Sequence, residues 1–324
     1  MLSTTSMSAE IRSIGYIDRL VPSACFSDRN GVQSMVIGID PRVDFACKLL
    51  LGSPDHPAIT IHFLNAVLGG APKIAQVQIL NPIAGKRFDE DKLSILDILA
   101  TDDHSRLIDI EIQTTLAAGL AERLTYYAAS QLVEQLGEGE SYRVLRPSIG
   151  ICILDALLFR DSGSLHLDFQ LRSKTGERLT DCLQIHLLQL PKYMPEADND
   201  VPSDPIRQWM HFFRFAGTST LEELHRTLPD PVFTEAIGVL EMIAKNPEER
   251  RFYESRLKMQ RDEEARLVAA REQGVEQGEA IGRVRVLQSL AGVEESAVEQ
   301  LRSKSLDELS AMEANLKQQL RDRG

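Results

Sequence analysis

Two acidic residues set in apolar surroundings, Asp97 in KLSILDILA (92–100) and Glu111 in RLIDIEIQ (106–113), are the residues of this chain best suited to chemistry. In an extended strand, residues two apart share a face. Ile108, Ile110 and Ile112 therefore point one way, and Asp109, Glu111 and Gln113 the other. The stretch TDDHS (101–105) reads as a turn joining strands 93–99 and 107–113 into a hairpin. That hairpin would bring Asp97 opposite 109–111, with side chains roughly 4.5–5.5 Å apart. Two carboxylates so close repel each other unless a cation lies between them. Mg²⁺ takes hard oxygen ligands, commonly one or two carboxylates with waters and phosphate. An ion held there activates water and offsets the charge that builds on a phosphate under attack. The plain alternative is a solvated hairpin face. Leu96 and Ile98 speak against it, because a lone aspartate in an apolar run needs a reason.

The elements that must carry this pair read as an α/β (α+β) domain, with strands and helices interleaved. Helical apolar spacing covers 44–52, which ends at a glycine, and 59–68 is apolar on most sides before Gly69 and Gly70. Strands are expected at 74–80, 93–99, 107–113, 149–154, 165–171 and 183–190, with a helix at 122–136 between the third and fourth. A loop rich in Pro and Asp (195–205) precedes helices at 206–215 and 221–228, and from Pro231 to about Leu290 the chain is almost all helix-forming. Gly274, Gly278 and Gly282 recur every fourth residue there, each costing about 1 kcal/mol relative to Ala. SLDE (305–308) is a capping box for a last amphipathic helix carrying Leu306, Leu309, Met312, Leu316 and Leu320. That helix would pair with its neighbour or with another copy. The division expected is a poorly ordered leader (1–39), a sheet domain (40–193), a helical subdomain (194–246) and a charged helical tail (247–324) that is a candidate oligomerisation segment.

Composition removes several classes. The 324 residues contain no apolar run near the roughly 20 residues that span a bilayer, and no signal-peptide pattern. Four dispersed cysteines without a CxxC pair fit neither a zinc cluster nor a disulfide framework, which suits a cytoplasmic protein. HExxH, Walker and GxSxG motifs are lacking. The net charge of −12 counts against extensive nonspecific DNA binding, since phosphate recognition is cation-driven.

Taken in order, the motifs resemble the Rpn family of recombination-promoting nucleases and transposase-like proteins, a branch of the PD-(D/E)XK superfamily. Residues 44–52 are similar to the family's D..FK..FG opening, with Cys47 and Leu51 where Phe is usual, and 63–68 (FLNAVL) to its FLNAIL helix. Residues 96–99 and 110–113 resemble its D-x-L and E-x-Q strands, and Arg123, Tyr126, Tyr127 and Tyr142 its R..YY helix and the G..Y after it. Residues 179–186 and 190–192, Gln208, Trp209, Tyr253 and the Glu-Gln-Gly repeat continue the match, so that it spans about 40–282. Order and spacing make it specific.

The resemblance implies a restriction-endonuclease-like mixed central sheet flanked by helices, with a helical C-terminal extension. It implies an endonuclease that hydrolyses DNA with Mg²⁺, or Mn²⁺ in its place, in a recombination or transposition setting. Asp97 and Glu111 would bind the metal, and Gln113 stands where the wider superfamily has the lysine that positions and helps deprotonate the attacking water. Gln carries no charge and is a poor proton acceptor. Leu96 replaces the superfamily's Pro. Asp44 could reach the site or form an i,i+4 ion pair with Lys48; Lys48 and Arg123 are candidate phosphate contacts, and Tyr127 is a secondary candidate. Arg123 reads equally as a helix-surface arginine.

His62 and His186 sit among apolar residues and read as packed core histidines rather than ligands. Trp209 with Phe212, Phe213 and Phe215 reads as helix packing before base stacking. The expected partners are DNA and a second copy through the C-terminal helices, with no membrane. Two alternatives differ in class. One is a nuclease fold that has lost turnover and serves as an oligomeric DNA-binding or interaction module; the other is a coiled-coil scaffold.

Overall fold

In the computed structural model, which describes residues 36–70, 73–81, 98–195, 201–202 and 204–322, the chemistry-bearing hairpin lies inside a six-stranded mixed sheet. Helices α1 (Asp44–Leu51) and α2 (Pro57–Leu68) precede it. α1 buries Phe45, Ala46, Cys47, Leu50 and Leu51 and stops at Gly52, where a Cβ would lie 2.8 Å from the Lys48 carbonyl. α2 opens on a proline, whose missing N–H costs nothing at a helix start, and ends at Gly69 with φ of 59°.

The strands are β1 (Val77–Ile79), β2 (Ile98–Asp102), β3 (Leu107–Gln113), β4 (Ser148–Leu154), β5 (His166–Gln170) and β6 (Leu183–Gln189), in the spatial order β1-β2-β3-β4-β6-β5. β1, β2 and β3 are antiparallel neighbours, β3, β4 and β6 run parallel, and β5 returns antiparallel at the edge. Helix α3 (Leu120–Val133) makes the crossover from β3 to β4. β4 is buried along its whole length, as expected of a central strand covered on both faces.

One difference from the sequence reading concerns the hairpin. β2 continues through Thr101 and Asp102, and the turn is shorter than TDDHS. The cause is Asp102: its Oδ1 accepts the backbone N–H groups of His104 and Arg106, and Arg106 Nε donates to its Oδ2 at 2.6 Å. The carboxylate closes the turn from within while the ladder pairs Thr101 with Leu107. Strand residues 93–97, Asp97 among them, lie outside the described residues, as do 1–35 of the expected leader. Val36 bridges to Thr220, and Ile39 is buried.

Beyond the sheet come α4 (Pro205–Phe215), α5 (Leu221–Thr227), α6 (Pro231–Lys245), α7 (Pro247–Leu290), α8 (Val298–Arg302) and α9 (Leu306–Asp322). Thr220 and Glu223 form a reciprocal capping box at α5, and Ser305 and Glu308 do so at α9. Residues of the stretch expected as a helical subdomain share the sheet's own core: Trp209, Phe212, Phe213 and Phe233 pack with Phe63 of α2 and with Ile110 and Ile151 of the sheet. Trp209 is 1 % exposed, donates to His62 Nδ1 at 3.0 Å and lies 4.8 Å from the Phe233 ring, so the aromatic cluster is packing and not a surface for bases. A separate small core joins Ala280, Ile281 and Val284 of α7 to Leu301 and to Leu309 and Leu316 of α9, so α9 pairs with its own neighbour. No helix among the described residues is long and apolar enough to cross a membrane.

Candidate active site

β3 sorts its side chains as the alternation predicts. Ile108 and Ile110 enter the main core on one side. On the other, Glu111 pairs in register with Cys152, which lies under α3 with Leu120 and Leu124. Glu111 is 3 % exposed. A carboxylate this far from water requires compensating charge or hydrogen bonds. Arg123, in the first turn of α3, brings Nη2 to 3.5 Å from Glu111 Oε2, and Gln113 Nε2 donates to that oxygen at 3.4 Å. Both separations exceed the usual 2.7–3.2 Å of an N–H···O bond. Arg123 Nε is buried without a hydrogen-bond partner among the described residues. Its guanidinium thus stands beside a buried carboxylate with a donor unspent.

Three candidate residues therefore meet: Glu111, Gln113 and Arg123. Asp97 lies outside the described residues; it immediately precedes Ile98, which pairs with Ile110, the residue before Glu111. Lys48 is 6 % exposed on the core-facing side of α1. Tyr127 is one turn beyond Arg123 on α3 and is exposed, its ring 5.9 Å from that of Tyr126.

Asp44 has a partner no sequence pattern could supply. Arg256 of α7, 212 residues away, donates Nε to its two oxygens at 3.0 and 2.9 Å and also Nη2. Asp44 gains this long-range pair, beyond any i,i+4 neighbour on its own helix, because α7 runs directly past the start of α1. Both residues line a groove of about 270 Å³ at the exit of β3, together with Arg42, Gln113, Thr114 and Thr115 and, from α7, Met259, Gln260 and Glu263. Arg42 is another residue the sequence did not single out. It grips Asp40 and, at 2.5 Å, Asp155 just past β4. Burial pushes the Asp155 carboxyl up from its ordinary value, against the pull of that guanidinium.

The Glu111 carboxylate supplies hard oxygen ligands of the kind a divalent cation such as Mg²⁺ takes. A second acidic group, Asp102, Asp103 and His104, gathers at the β2–β3 turn. Asp102 is already committed to closing that turn and to Arg106, and the group lies at the opposite end of β3 from Gln113. It explains the turn rather than a reaction. His186 is buried as expected, with Nδ1 3.0 Å from His166 Nε2 on β5.

Neither a curated protein nor a solved structure matches the chain. A family model described as "PD-(D/E)XK nuclease family transposase" does match, over residues 41–270, from the start of α1 through the sheet and well into α7. With more than half its length so matched, and with a mixed sheet that carries a buried glutamate followed two residues on by Gln113, the chain belongs to the PD-(D/E)XK nuclease family transposases.

Proposed function

We propose that this protein is a divalent-metal-dependent DNA endonuclease whose site is built from Asp97, Glu111, Gln113 and Arg123. The observation that carries the reading is the buried Glu111 carboxylate, with Gln113 and Arg123 gathered on it at the end of β3 that opens into the groove. Asp97 and Glu111 would hold Mg²⁺, or Mn²⁺ in its place. When bound, the ion supplies an activated water and offsets charge on the phosphate.

The remaining work falls to the chain's own side chains. Gln113 Oε1 accepts a hydrogen bond from the attacking water and so turns an oxygen lone pair toward phosphorus. Being an amide it keeps no proton, so the attacking water's proton passes to solvent, and the leaving oxygen takes up a proton from solvent as its P–O bond breaks. Arg123, whose side chain is 36 % exposed, donates from the outer edge of its guanidinium to a non-bridging phosphate oxygen, a geometry guanidinium matches well. Lys48 and Tyr127 remain secondary candidates for substrate contact, and the C-terminal helices for association of two copies. Cytoplasmic recombination or transposition is the setting proposed.

One observation favours a second reading. Arg123 already gives Glu111 a counter-cation, as a nuclease fold without turnover would. A supercoiled-plasmid assay separates the two. Wild type with Mg²⁺ or Mn²⁺ is expected to nick and linearise, and Asp97→Asn and Glu111→Gln to lose at least a hundredfold in rate, the loss typical of removing a transition-state charge interaction. Equal activity in wild type and either variant would sink the catalytic assignment. DNA binding with no cutting at any metal concentration would favour the second reading.

A further inference from the structure

The groove beside Gln113 has a wall the catalytic reading does not use. One side is the exit of β3, where Gln113, Thr114 and Thr115 offer amide and hydroxyl groups. The other is the 256–263 stretch of α7, which belongs by sequence to the charged tail. Gln113 connects this groove to Glu111 through a 3.4 Å contact, so a strand lying in it passes one side chain from the buried carboxylate.

Arg256 is built to act in this wall. Its Nε and Nη2 are both spent on the Asp44 carboxylate, which fixes the plane of the guanidinium. Among the described residues its Nη1 reaches only the thioether sulfur of Met259, at 3.8 Å. Sulfur is a weak acceptor, so this edge keeps nearly its full capacity to donate. Asp44 and Arg256 are half-buried, with side chains 29 % and 16 % exposed, and the pair is shielded from salt more than a surface ion pair is. A guanidinium oriented on one edge and open on the other suits a phosphodiester, which carries one negative charge and two non-bridging acceptor oxygens. Glu263, farther along the same wall, weighs against a more highly charged anion.

We propose that this groove carries the DNA backbone flanking the cut, with Arg256 Nη1 donating to a phosphate oxygen and Asp44 acting as the positioning residue that aims it. The assignment rests on the nuclease reading for the identity of the strand, and makes the start of the helical tail part of the substrate-binding surface. Thr114, Thr115 and Gln260 complete the contact with neutral donors.

Binding is measured in a Glu111→Ala background, so that cutting does not interfere, by anisotropy of a labelled DNA duplex across a salt series. Adding Arg256→Ala should weaken binding about tenfold, as for loss of one charged hydrogen bond. It should also lower the slope of log affinity against log salt by about 0.9, one phosphate contact. A purely structural anchor would change melting but leave that slope alone. Because Arg256→Ala also loosens α7 from α1, a gain-of-charge variant stands beside it. Met259→Lys puts a cation on the groove wall at a site 46 % exposed, and Val268→Lys puts the same charge farther along α7 at a site 51 % exposed. Met259→Lys should raise affinity and slope, and Val268→Lys should do so much less.

Unchanged binding in Arg256→Ala, or equal gains from the two lysines, overturns the groove assignment, even where wild type cuts plasmid and the nuclease reading stands. Wild type that never cuts, with binding that still depends on Arg256, overturns the nuclease reading and leaves the groove. DNA that does not bind at all removes both.

Discussion

At the scale of single residues, the site turns on how one buried carboxylate is neutralised. Glu111 has Arg123 at 3.5 Å, and a metal in the same place would serve the same electrostatic need. The two should therefore compete. Replacing Arg123 by Met, which keeps the length of the aliphatic stem, is expected to cost about 1–2 kcal/mol in EDTA, because a buried charge loses one of its partners. Added Mn²⁺ should then raise the melting temperature of Arg123→Met by more than it raises that of wild type, since ligand that binds only the folded state stabilises it by mass action. Glu111→Gln should show no such metal response. Equal Mn²⁺ shifts in wild type and Arg123→Met would end the competition argument. This cluster was readable in advance for a physical reason. Strand alternation assigns Glu111 and Gln113 one face, and Arg123 opens the helix that follows β3. The Asp44–Arg256 pair was not readable, because α7 is a dense mixture of acids and bases in which no position stands out until the fold brings one against α1.

At the scale of elements, the sheet edge carries a device that sequence spacing hides. His166 and His186 lie on β5 and β6, and only the antiparallel register of those strands brings their rings together, stacked with centroids 5.2 Å apart. The segments were legible as strands from their apolar content, but nothing in that content sets which residue faces which. The register has a consequence for pH. Burial, and then the neighbouring His166, hold His186 down to about 4 from its ordinary 6.5. Burial lowers His166 as well. An imidazole depressed in the folded state leaves the unfolded chain to take up the proton first. The native state should hold its full stability above pH 6.5 and lose it progressively as the pH falls toward 4. The loss from His186 should be on the order of 3 kcal/mol. Urea titrations at stepped pH check this, and His186→Leu should flatten the acid limb while keeping the volume of the side chain. An acid limb unchanged in His186→Leu would assign the loss to other groups, with His211, held to about 4 mainly by burial, the next to vary.

At the scale of the whole molecule, two cores share one helix. α7 enters the main core through Tyr253, with Phe252 and Leu257 against it, and leaves the small C-terminal core through Ala280, Ile281 and Val284. Between them every residue from 261 to 276 is exposed. A span of that length, roughly 24 Å of helix, is held only by its own hydrogen bonds and by side-chain pairs worth about 0.2–0.5 kcal/mol each. Gly274 sits at its far end and Gly278 and Gly282 just beyond it, and a Cβ on any of them would meet nothing within 4 Å. The repeated glycines were visible in the sequence, and so was the final amphipathic helix. That α9 would fold back on α7 was not, because its Leu spacing serves an intramolecular partner and a second copy equally well. The bare span makes the two cores separable. A chain ending at residue 270 should keep the main melting transition within about 2 °C, since it loses no residue of the main core. By light scattering it should also lose any self-association made through the C-terminal helices. Changing all three glycines to alanine in the full chain should leave the main transition alone and stabilise the C-terminal unit by up to about 1 kcal/mol per site. Should the triple variant instead lower the molar mass of the particle, the glycine edge of α7 would be a seam between copies, where an added methyl holds two helices apart. Should the truncated chain melt well below the full one, the cores would be coupled through the bare helix after all, and the tail would belong to the stability of the nuclease-like domain as well as to its substrate surface.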